Sequence, residues 1–215
     1  GTWRDNTYPG VACDIPSHLY SYAEHPNPGW SRRFAPGDEI RDYLERTAAG
    51  EGVLDRVVPG AELLDARWDA AADCWRLATT RGPWTAGALV LACGRLAEPR
   101  LPAGDLGGFR GPIFHSARWR HDVELAGRRV AVVGSGASAV QLVPEIAAAG
   151  AEVTVLQRTP PWILPRQDLV YDAAELARLA ADPDAVAALR EEAFAAGEAM
   201  VPQRLGDAAA IAAAR

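Results

Sequence analysis

Residues 128–158 constrain the fold of this chain more than any other segment, because they combine two apolar strands, a glycine turn and a helix pattern. A β-branched run at 130–133 leads into residues 134–139, which read GSGASA, and a second strand pattern follows at 152–156. The turn matches G-x-G-x-x-[GA], which is a weak signal alone but an informative one between a strand and a helix. The segment therefore predicts a parallel βαβ unit that binds a dinucleotide.

Each position of the turn has a physical reason if a pyrophosphate lies at the N-terminus of the following helix. Gly134 permits the tight turn, Gly136 lets the backbone approach the pyrophosphate, and Ala139 keeps helix and strand close. The second strand ends without the acidic residue that binds the ribose of NAD; it is followed by Arg158, whose guanidinium suits a 2′-phosphate. We therefore expect NADP rather than NAD. The predicted NADP-binding residues are Gly134, Ser135, Gly136, Ala137, Ser138, Gln157 and Arg158.

The alternative is a βαβ unit whose glycine turn is purely structural. In that case Ser135 caps the helix and Arg158 is an ordinary surface residue at a strand end. The agreement of turn, strands and Arg158 favours the nucleotide site.

Composition argues against several other classes of function. The 215 residues carry a net charge of −6 without a basic stripe, so nucleic acid is not expected as a partner. The three cysteines, Cys13, Cys74 and Cys93, form no C-x-x-C pair, which argues against a disulfide framework, a metal site or a dithiol centre. The chain shows no apolar run of about 18 residues and no signal peptide, so we expect no membrane-spanning segment and a cytoplasmic protein.

The rest of the chain predicts mixed helix and sheet around a long irregular segment at residues 1–37. Such long loops are usually functional. The predicted elements, in chain order, are a helix at 39–49 capped by Asp38, strands at 53–68 and 74–80 joined by a polar turn at 69–73, a hairpin arm from Pro83, a buried strand at 88–93, and helices at 173–181 and 184–200.

One spacing between the strand region and the glycine turn resembles a known fingerprint. The pattern Phe109-x-Gly111-x-x-x-His115-x-x-x-Trp119 is similar to the F-x-G-x-x-x-H-x-x-x-W motif of flavin-dependent class B monooxygenases. A Trp in the last place favours the Baeyer–Villiger branch. The chain departs from the family pattern at the next position, which is Arg120. For His115 we favour a structural role that anchors the linker over an acid–base role.

Three further segments carry the same resemblance. Residues 1–14 resemble the family's GGTW…N-R-Y-P-G-x-R-C-D segment, with Thr7 and Ala12 where the family often has Arg. Residues 92–94 resemble an A-T-G strand end, with Cys93 in place of Thr, and residues 157–162, QRTPPW, also match the family.

The resemblance implies an α/β fold with the two-dinucleotide-binding-domain (Rossmann-like) flavoprotein architecture, here truncated. The implied parts are a partial FAD-binding domain at 1–108, a linker at 109–127, an NADP-binding Rossmann unit at 128–170 and a truncated helical segment at 171–215. The chain opens on Gly1 rather than Met and ends in an alanine-rich helix pattern. We therefore expect a fragment that lacks the N-terminal FAD glycine loop and the C-terminal part.

By the same resemblance, the parent protein uses FAD and NADPH to insert one oxygen atom from O₂ into a ketone or to add it to a heteroatom. Asp14 is expected to orient a catalytic Arg that lies outside this chain; an Asx-turn or a helix cap is the alternative. Ordinary packing is the alternative for Trp3, Tyr20 and Leu63. The predicted FAD-binding residues are Gly1, Thr2, Trp3, Asp14, Tyr20, Leu63 and Gly94.

Two other functions stay open at this point. One is a different flavin and NADPH oxidoreductase, such as an N-hydroxylase or a disulfide reductase, although the missing C-x-x-C argues against the reductase. The other is a nucleotide-binding fragment without activity.

Overall fold

The computed structural model describes residues 1–94, 96–102, 107–161, 163 and 166–213. Trp162, the last residue of the QRTPPW match, lies outside these ranges. The chain divides into two compact units, one made of Gly1 and residues 45–98, the other of residues 2–44 and 99–215. The predicted cofactor-domain boundaries stay a prediction, because a compact unit of one chain is not the same thing as a cofactor domain.

The unit of residues 45–98 contains a three-stranded antiparallel sheet of β1 (Leu63–Asp69), β2 (Cys74–Thr79) and β3 (Gly82–Ala86). The predicted polar turn joins β1 to β2, and the Asp69 carboxylate accepts hydrogen bonds from the backbone N–H groups of Ala71 and Ala72. Trp68 and Trp75 lie opposite each other across the two strands, with ring centroids 5.7 Å apart. The hairpin prediction is confirmed in this region.

Two strand predictions are wrong, and both failures concern strands without a partner. Residues 53–62 form a short 3₁₀ helix, Leu54–Arg56, and turns, so the first strand begins only at Leu63. Residues 88–93 form no strand, and Val90 and Leu91 are 83% and 68% exposed. A buried strand needs neighbours to pair its backbone groups, and within the described residues no strand pairs with this run.

The unit of residues 2–44 and 99–215 contains the predicted βαβ unit. It consists of β4 (Arg129–Val133), α4 (Ala137–Ala148) and β5 (Glu152–Leu156), and the two strands pair in parallel. The backbone N–H of Gly134 donates to the Leu156 carbonyl at 2.8 Å, so the pairing continues one residue beyond β4. The prediction of a parallel unit around the glycine turn is confirmed.

Helices account for most of the remaining regular structure. Their bounds are α1 Thr2–Asp5, α2 Ser17–Tyr20, α3 Gly37–Gly50, α5 Ala173–Ala181, α6 Pro183–Ala199, α7 Val201–Arg204 and α8 Ala208–Ala213. Helix α3 begins two residues before the predicted start, so Asp38 lies in its first turn rather than at its cap. Asp172 and Asp182 cap α5 and α6 through their carboxylates. In the described part of the chain, every helix is too short or too polar to cross a bilayer.

Two apolar clusters form the core of the second unit. The Trp30 cluster joins the irregular N-terminal segment to α3 and to Tyr171, and Trp30 itself is 1% exposed. The Leu142 cluster packs Leu142 and Ile146, four residues apart on α4, against Tyr8 and the inward face of the two parallel strands. The irregular N-terminal segment therefore contributes residues to both clusters and packs against α3 in one and against α4 in the other.

Candidate nucleotide-binding site

The predicted NADP residues lie together at one edge of the parallel sheet. Val133 and Leu156 are register partners at the carboxyl ends of β4 and β5. Residues 134–136 follow the first strand and residues 157–158 follow the second, so both segments lie at this edge. The carboxyl edge of parallel strands is where open α/β sheets bind nucleotides.

The two turn glycines are required for different reasons. Gly134 has φ +107°, a conformation that an L-residue adopts only under strain. Gly136 has φ −75° and ψ −178°, which any residue tolerates. A Cβ built on Gly136 meets no heavy atom within 4 Å. The fold therefore needs a glycine at 134, whereas at 136 the open space above the backbone suits a pyrophosphate.

The N-terminus of α4 is open to an anion. Gly136 is its N-cap residue, and in the described residues no side chain caps the helix and no acidic residue occupies its first turn. Ser135 makes no capping hydrogen bond to a described residue, so the capping role that the sequence left open for it is not seen. The first N–H groups of a helix carry partial positive charge and need acceptors. Ala137 and Ser138, the first two helical residues, border this site.

Arg158 and Gln157 are exposed immediately beyond β5. Arg158 forms no hydrogen bond or ion pair with any described residue, unlike Arg178, whose guanidinium binds Glu175 at 2.7 Å. A guanidinium without a carboxylate partner at this edge can bind phosphate oxygens in bidentate fashion. Pyrophosphate and 2′-phosphate both fit the chemistry of these residues.

The fingerprint residues play structural parts in this chain. His115 caps the short 3₁₀ helix Ser116–Arg118, because its Nδ1 accepts a hydrogen bond from the Ala117 N–H at 3.0 Å. Trp119 packs against the Leu142 cluster. The exposed ring of Phe109 covers Gly111, where a Cβ would come within 2.8 Å of ring carbons. These contacts support the structural role expected for His115.

The N-terminal motif places Trp3 and Tyr20 side by side. The Trp3 indole Nε1 donates to the Tyr20 hydroxyl at 3.2 Å, and the two rings are nearly perpendicular with centroids 5.7 Å apart. Trp3 also packs against the Trp30 cluster, whereas Tyr20 is 41% exposed. The Thr2 carbonyl accepts from the backbone N–H and the side-chain amide of Asn6, which closes α1. One face of the aromatic pair is therefore available to a ligand.

Asp14 is exposed and forms neither of the two local structures that the sequence left open. The N-cap of α2 is Pro16 without a side-chain bond, and the Asp14 carboxylate accepts no hydrogen bond from a described residue. Next to it, the Cys13 carbonyl accepts from Arg166 Nη1 at 2.9 Å, and the same guanidinium lies 4.8 Å from the centre of the Phe34 ring. Cys13 itself belongs to the Trp30 cluster, and burial raises the pKa of its thiol, which disfavours the reactive thiolate.

Three predicted flavin residues belong to the unit of residues 45–98. Leu63 is the first residue of β1 and lies opposite Thr79, and it is exposed rather than part of a strand core. Gly94 has φ +71°, which favours glycine. Gly1 is assigned to the same unit. The flavin contacts of all three stay predictions.

The structure also shows a residue that the sequence pattern did not reveal. Gln141 on α4 accepts a hydrogen bond from the Tyr8 hydroxyl at 2.8 Å and donates to the Ala12 carbonyl at 2.9 Å. Gly10 has φ +78°, and a Cβ there would lie 2.7 Å from the Gln141 carbonyl oxygen. The YPG loop therefore docks on the helix that follows the glycine turn. The only hint in the sequence is a Gln inside an apolar helix.

The sequence and the fold of this chain are similar to those of known proteins. The family model for the pyridine nucleotide-disulphide oxidoreductases matches residues 25–179. Over 180 residues the chain is 47% identical to a Baeyer-Villiger monooxygenase of Streptomyces coelicolor, covering 82% of this chain and 34% of that protein. It is 44% identical to a Baeyer-Villiger monooxygenase of Pseudomonas aeruginosa, covering 83% and 34%.

Solved structures of monooxygenases are also similar to this chain. An oxidized steroid monooxygenase bound to NADP matches with a TM-score of 0.73 and 36% identity, covering 83% of this chain and 35% of that one. A closed cyclohexanone monooxygenase matches with a TM-score of 0.73 and 30% identity, covering 86% and 36%. The chain spans about a third of the length of these relatives, and the predicted fold class is confirmed as part of a two-dinucleotide-domain flavoprotein. The chain belongs to the pyridine nucleotide-disulphide oxidoreductase family, and the curated relatives it is similar to over most of its length are Baeyer-Villiger monooxygenases.

Proposed function

We propose that the protein containing these residues is an FAD-dependent, NADPH-using monooxygenase that acts on a small molecule with O₂. In this proposal one oxygen atom enters a ketone next to its carbonyl or is added to a heteroatom. The observation that carries the proposal is the open edge beyond β4 and β5, where Gly136 leaves room for a pyrophosphate and Arg158 presents a guanidinium without a partner among the described residues. A bound flavin supplies the chemistry that reduces and activates O₂.

The residues of this chain bind and orient the cofactors. The N-terminus of α4 binds the NADP pyrophosphate and Arg158 binds the 2′-phosphate. Trp3 and Tyr20 present aromatic surface to the flavin. Asp14 pairs with the guanidinium of a catalytic arginine supplied from outside these residues and holds it in place. The hydrogen-bonding residues toward NADP are Ser135, Ser138 and Gln157.

The NADP assignment is tested by nucleotide titration. Arg158→Ala should weaken NADP⁺ binding by about 10- to 150-fold, because a hydrogen bond to a charged group contributes about 1.5–3 kcal/mol. Binding of NAD⁺ should not change. Arg129→Ala is the matched control, since Arg129 is an exposed residue at the opposite end of β4. Tighter binding of NAD⁺ than of NADP⁺ to wild type, or no loss in Arg158→Ala, would refute the assignment.

The activity is tested on the protein expressed from the whole reading frame that contains these residues. NADPH oxidation and O₂ uptake are measured with a cyclic ketone, a thioether and a primary amine, and the products are identified by mass. An ester from the ketone identifies Baeyer–Villiger oxidation, a sulfoxide shows heteroatom oxidation, and a hydroxylamine favours the N-hydroxylase. Reduction of another acceptor by NADPH without an oxygenated product would show a different flavin oxidoreductase.

The 215-residue chain on its own should behave differently from the protein expressed from the whole reading frame. Its described residues contain one parallel βαβ unit, so by itself it should bind NADP without turnover. The cytoplasmic location stays a prediction, and its support is that Cys13, Cys74 and Cys93 are all free thiols.

A further inference from the structure

Arg190 on α6 holds the end of a short helix in the N-terminal segment. Its Nη1, which carries two hydrogens, lies within hydrogen-bond distance of three backbone carbonyl oxygens, so at least one hydrogen is shared; they belong to His18 at 3.0 Å, Leu19 at 3.1 Å and Ser21 at 2.8 Å. These oxygens lie at the C-terminal end of α2, where the last carbonyls of a helix have no partner within it. A cation at this end is also favoured by the direction of the peptide dipoles.

The Arg190 guanidinium contacts backbone carbonyls and pairs with no described carboxylate. Arg190 is half-buried and forms no ion pair with a described carboxylate. By contrast, Arg178 on the neighbouring helix α5 is bound by Glu175. A half-buried, always-charged side chain that meets only carbonyl oxygens fixes their positions closely, because each bond is charge-assisted.

The backbone that Arg190 holds carries Tyr20. Two of the three carbonyls belong to the residues on either side of Tyr20, and the Tyr20 hydroxyl accepts the hydrogen bond from the Trp3 indole. Ser21 adds a second support, since its hydroxyl donates to the Ser17 carbonyl and accepts from the Trp30 indole at 3.1 Å. A chain of direct contacts therefore leads from α6 to the aromatic pair.

We infer that Arg190 is a positioning residue for the flavin-facing pair Trp3–Tyr20, so that a helix about 170 residues away in sequence sets one wall of the flavin site. This inference rests on the proposed function for the flavin and on the structure for the contacts. It gives the helical segment a part in the site that neither its sequence nor the glycine turn indicates.

The surroundings of Arg190 allow the contact to be removed without emptying a core. A cavity of about 100 Å³ borders Arg190, His18, Tyr22 and Asn27, and the other lining residues are small or apolar. This volume admits water, which can solvate the carbonyls when the guanidinium is absent. Loss of Arg190 should therefore loosen the position of α2 while the fold is kept.

The test uses the FAD-loaded protein from the whole reading frame and the variants Arg190→Met, Arg190→Lys and Tyr20→Phe. Arg178→Met is the matched control on α5. Arg190→Met removes the charge-assisted hydrogen bonds to the carbonyls around Tyr20. It should weaken FAD binding by about tenfold, because the flavin then meets a less ordered aromatic pair, and should change the flavin fluorescence. NADP⁺ affinity should stay within about twofold of wild type, and Arg190→Lys should recover part of the FAD affinity.

A second measurement observes the Trp3–Tyr20 pair directly and does not depend on a flavin signal. With 5-fluorotryptophan incorporated in the same protein, the Trp3 resonance, assigned by Trp3→Phe, should shift in both Arg190→Met and Tyr20→Phe and not in Arg178→Met. If wild type binds no FAD, the proposed function fails while this resonance still tests the contact. Unchanged FAD affinity and an unmoved resonance in Arg190→Met, or an equal effect of Arg178→Met, would overturn the inference. An equal loss of NADP⁺ affinity would show a general structural role instead.

Discussion

The two glycines of the 134–139 turn should separate folding from nucleotide binding when each is replaced by alanine. Gly134 needs its hydrogen side chain because φ is +107°. At Gly136 the backbone is extended and the space above it contains no heavy atom within 4 Å of a built Cβ. Gly134→Ala should therefore lower stability, and Gly136→Ala should lower affinity for NADP⁺.

The magnitudes follow from the backbone angles. An L-residue in a sparsely populated conformation costs about 1–3 kcal/mol, and replacing glycine recovers about 0.4–1 kcal/mol by restricting the unfolded chain. Gly134→Ala should therefore destabilise the fold by about 1–2 kcal/mol. At Gly136 the same gain opposes the weaker helix capping by alanine, so stability should change by less than about 1 kcal/mol.

Affinity for NADP⁺ should fall more in Gly136→Ala than in Gly134→Ala. A Cβ at Gly136 keeps phosphate oxygens from the N–H groups of α4, which removes at least one charge-assisted hydrogen bond, about 1.5–3 kcal/mol, and weakens binding by about 10- to 150-fold. Urea unfolding measures the first effect and calorimetric titration with NADP⁺ the second. NADP⁺ binding to Gly136→Ala within twofold of wild type, or equal destabilisation by both substitutions, would refute the reasoning.

Three further predictions concern the packed N-terminal segment and the isolated chain. Burial lowers the pKa of His18, an effect that the Glu175 charge opposes, and neither ring nitrogen has a described partner. As the pH falls, the unfolded chain therefore takes up the proton before the folded chain does. Below pH about 6.5 the free energy of unfolding should decrease by up to about 1.4 kcal/mol for each unit that the pH falls, until the lowered pKa of the folded state is passed. Urea unfolding of His18→Phe at several pH values should show a weaker dependence of this free energy on pH. Ser17→Ala should cost about 1–3 kcal/mol, because the buried Ala35 N–H, which donates to the Ser17 hydroxyl at 2.8 Å, then loses its acceptor. Ser116→Ala, at a serine whose hydroxyl bonds to no described residue, should cost under about 0.5 kcal/mol. The 215-residue chain purified alone should be colourless, and oxidised-flavin absorption bands would contradict the expectation that it retains no FAD.

Elements that depend on neighbouring residues could be predicted from the sequence, whereas elements that depend on distant strands could not. The β4–turn–α4–β5 unit and helix α5 could be predicted, because strand alternation, helix periodicity, a capping Asp172 and a glycine turn are all properties of neighbouring residues. The apolar run at 88–93 was predicted as a buried strand and is exposed coil, because pairing depends on strands that lie beside it. Alternation at 53–62 failed for the same reason.

The sequence by itself determined the local βαβ unit of this protein and predicts a nucleotide site on it. Two strands, a glycine turn and Arg158 lie within about thirty residues, where chain connectivity alone brings the predicted binding groups to one edge of the sheet. The tertiary structure alone decided what holds the N-terminal motif. Tyr8 bonds to Gln141 across 133 positions of sequence, and Arg190 reaches the carbonyls around Tyr20 across 169 to 172 positions. Hydrogen bonds at such separations depend on how helices pack, and no local pattern of residue types records that packing.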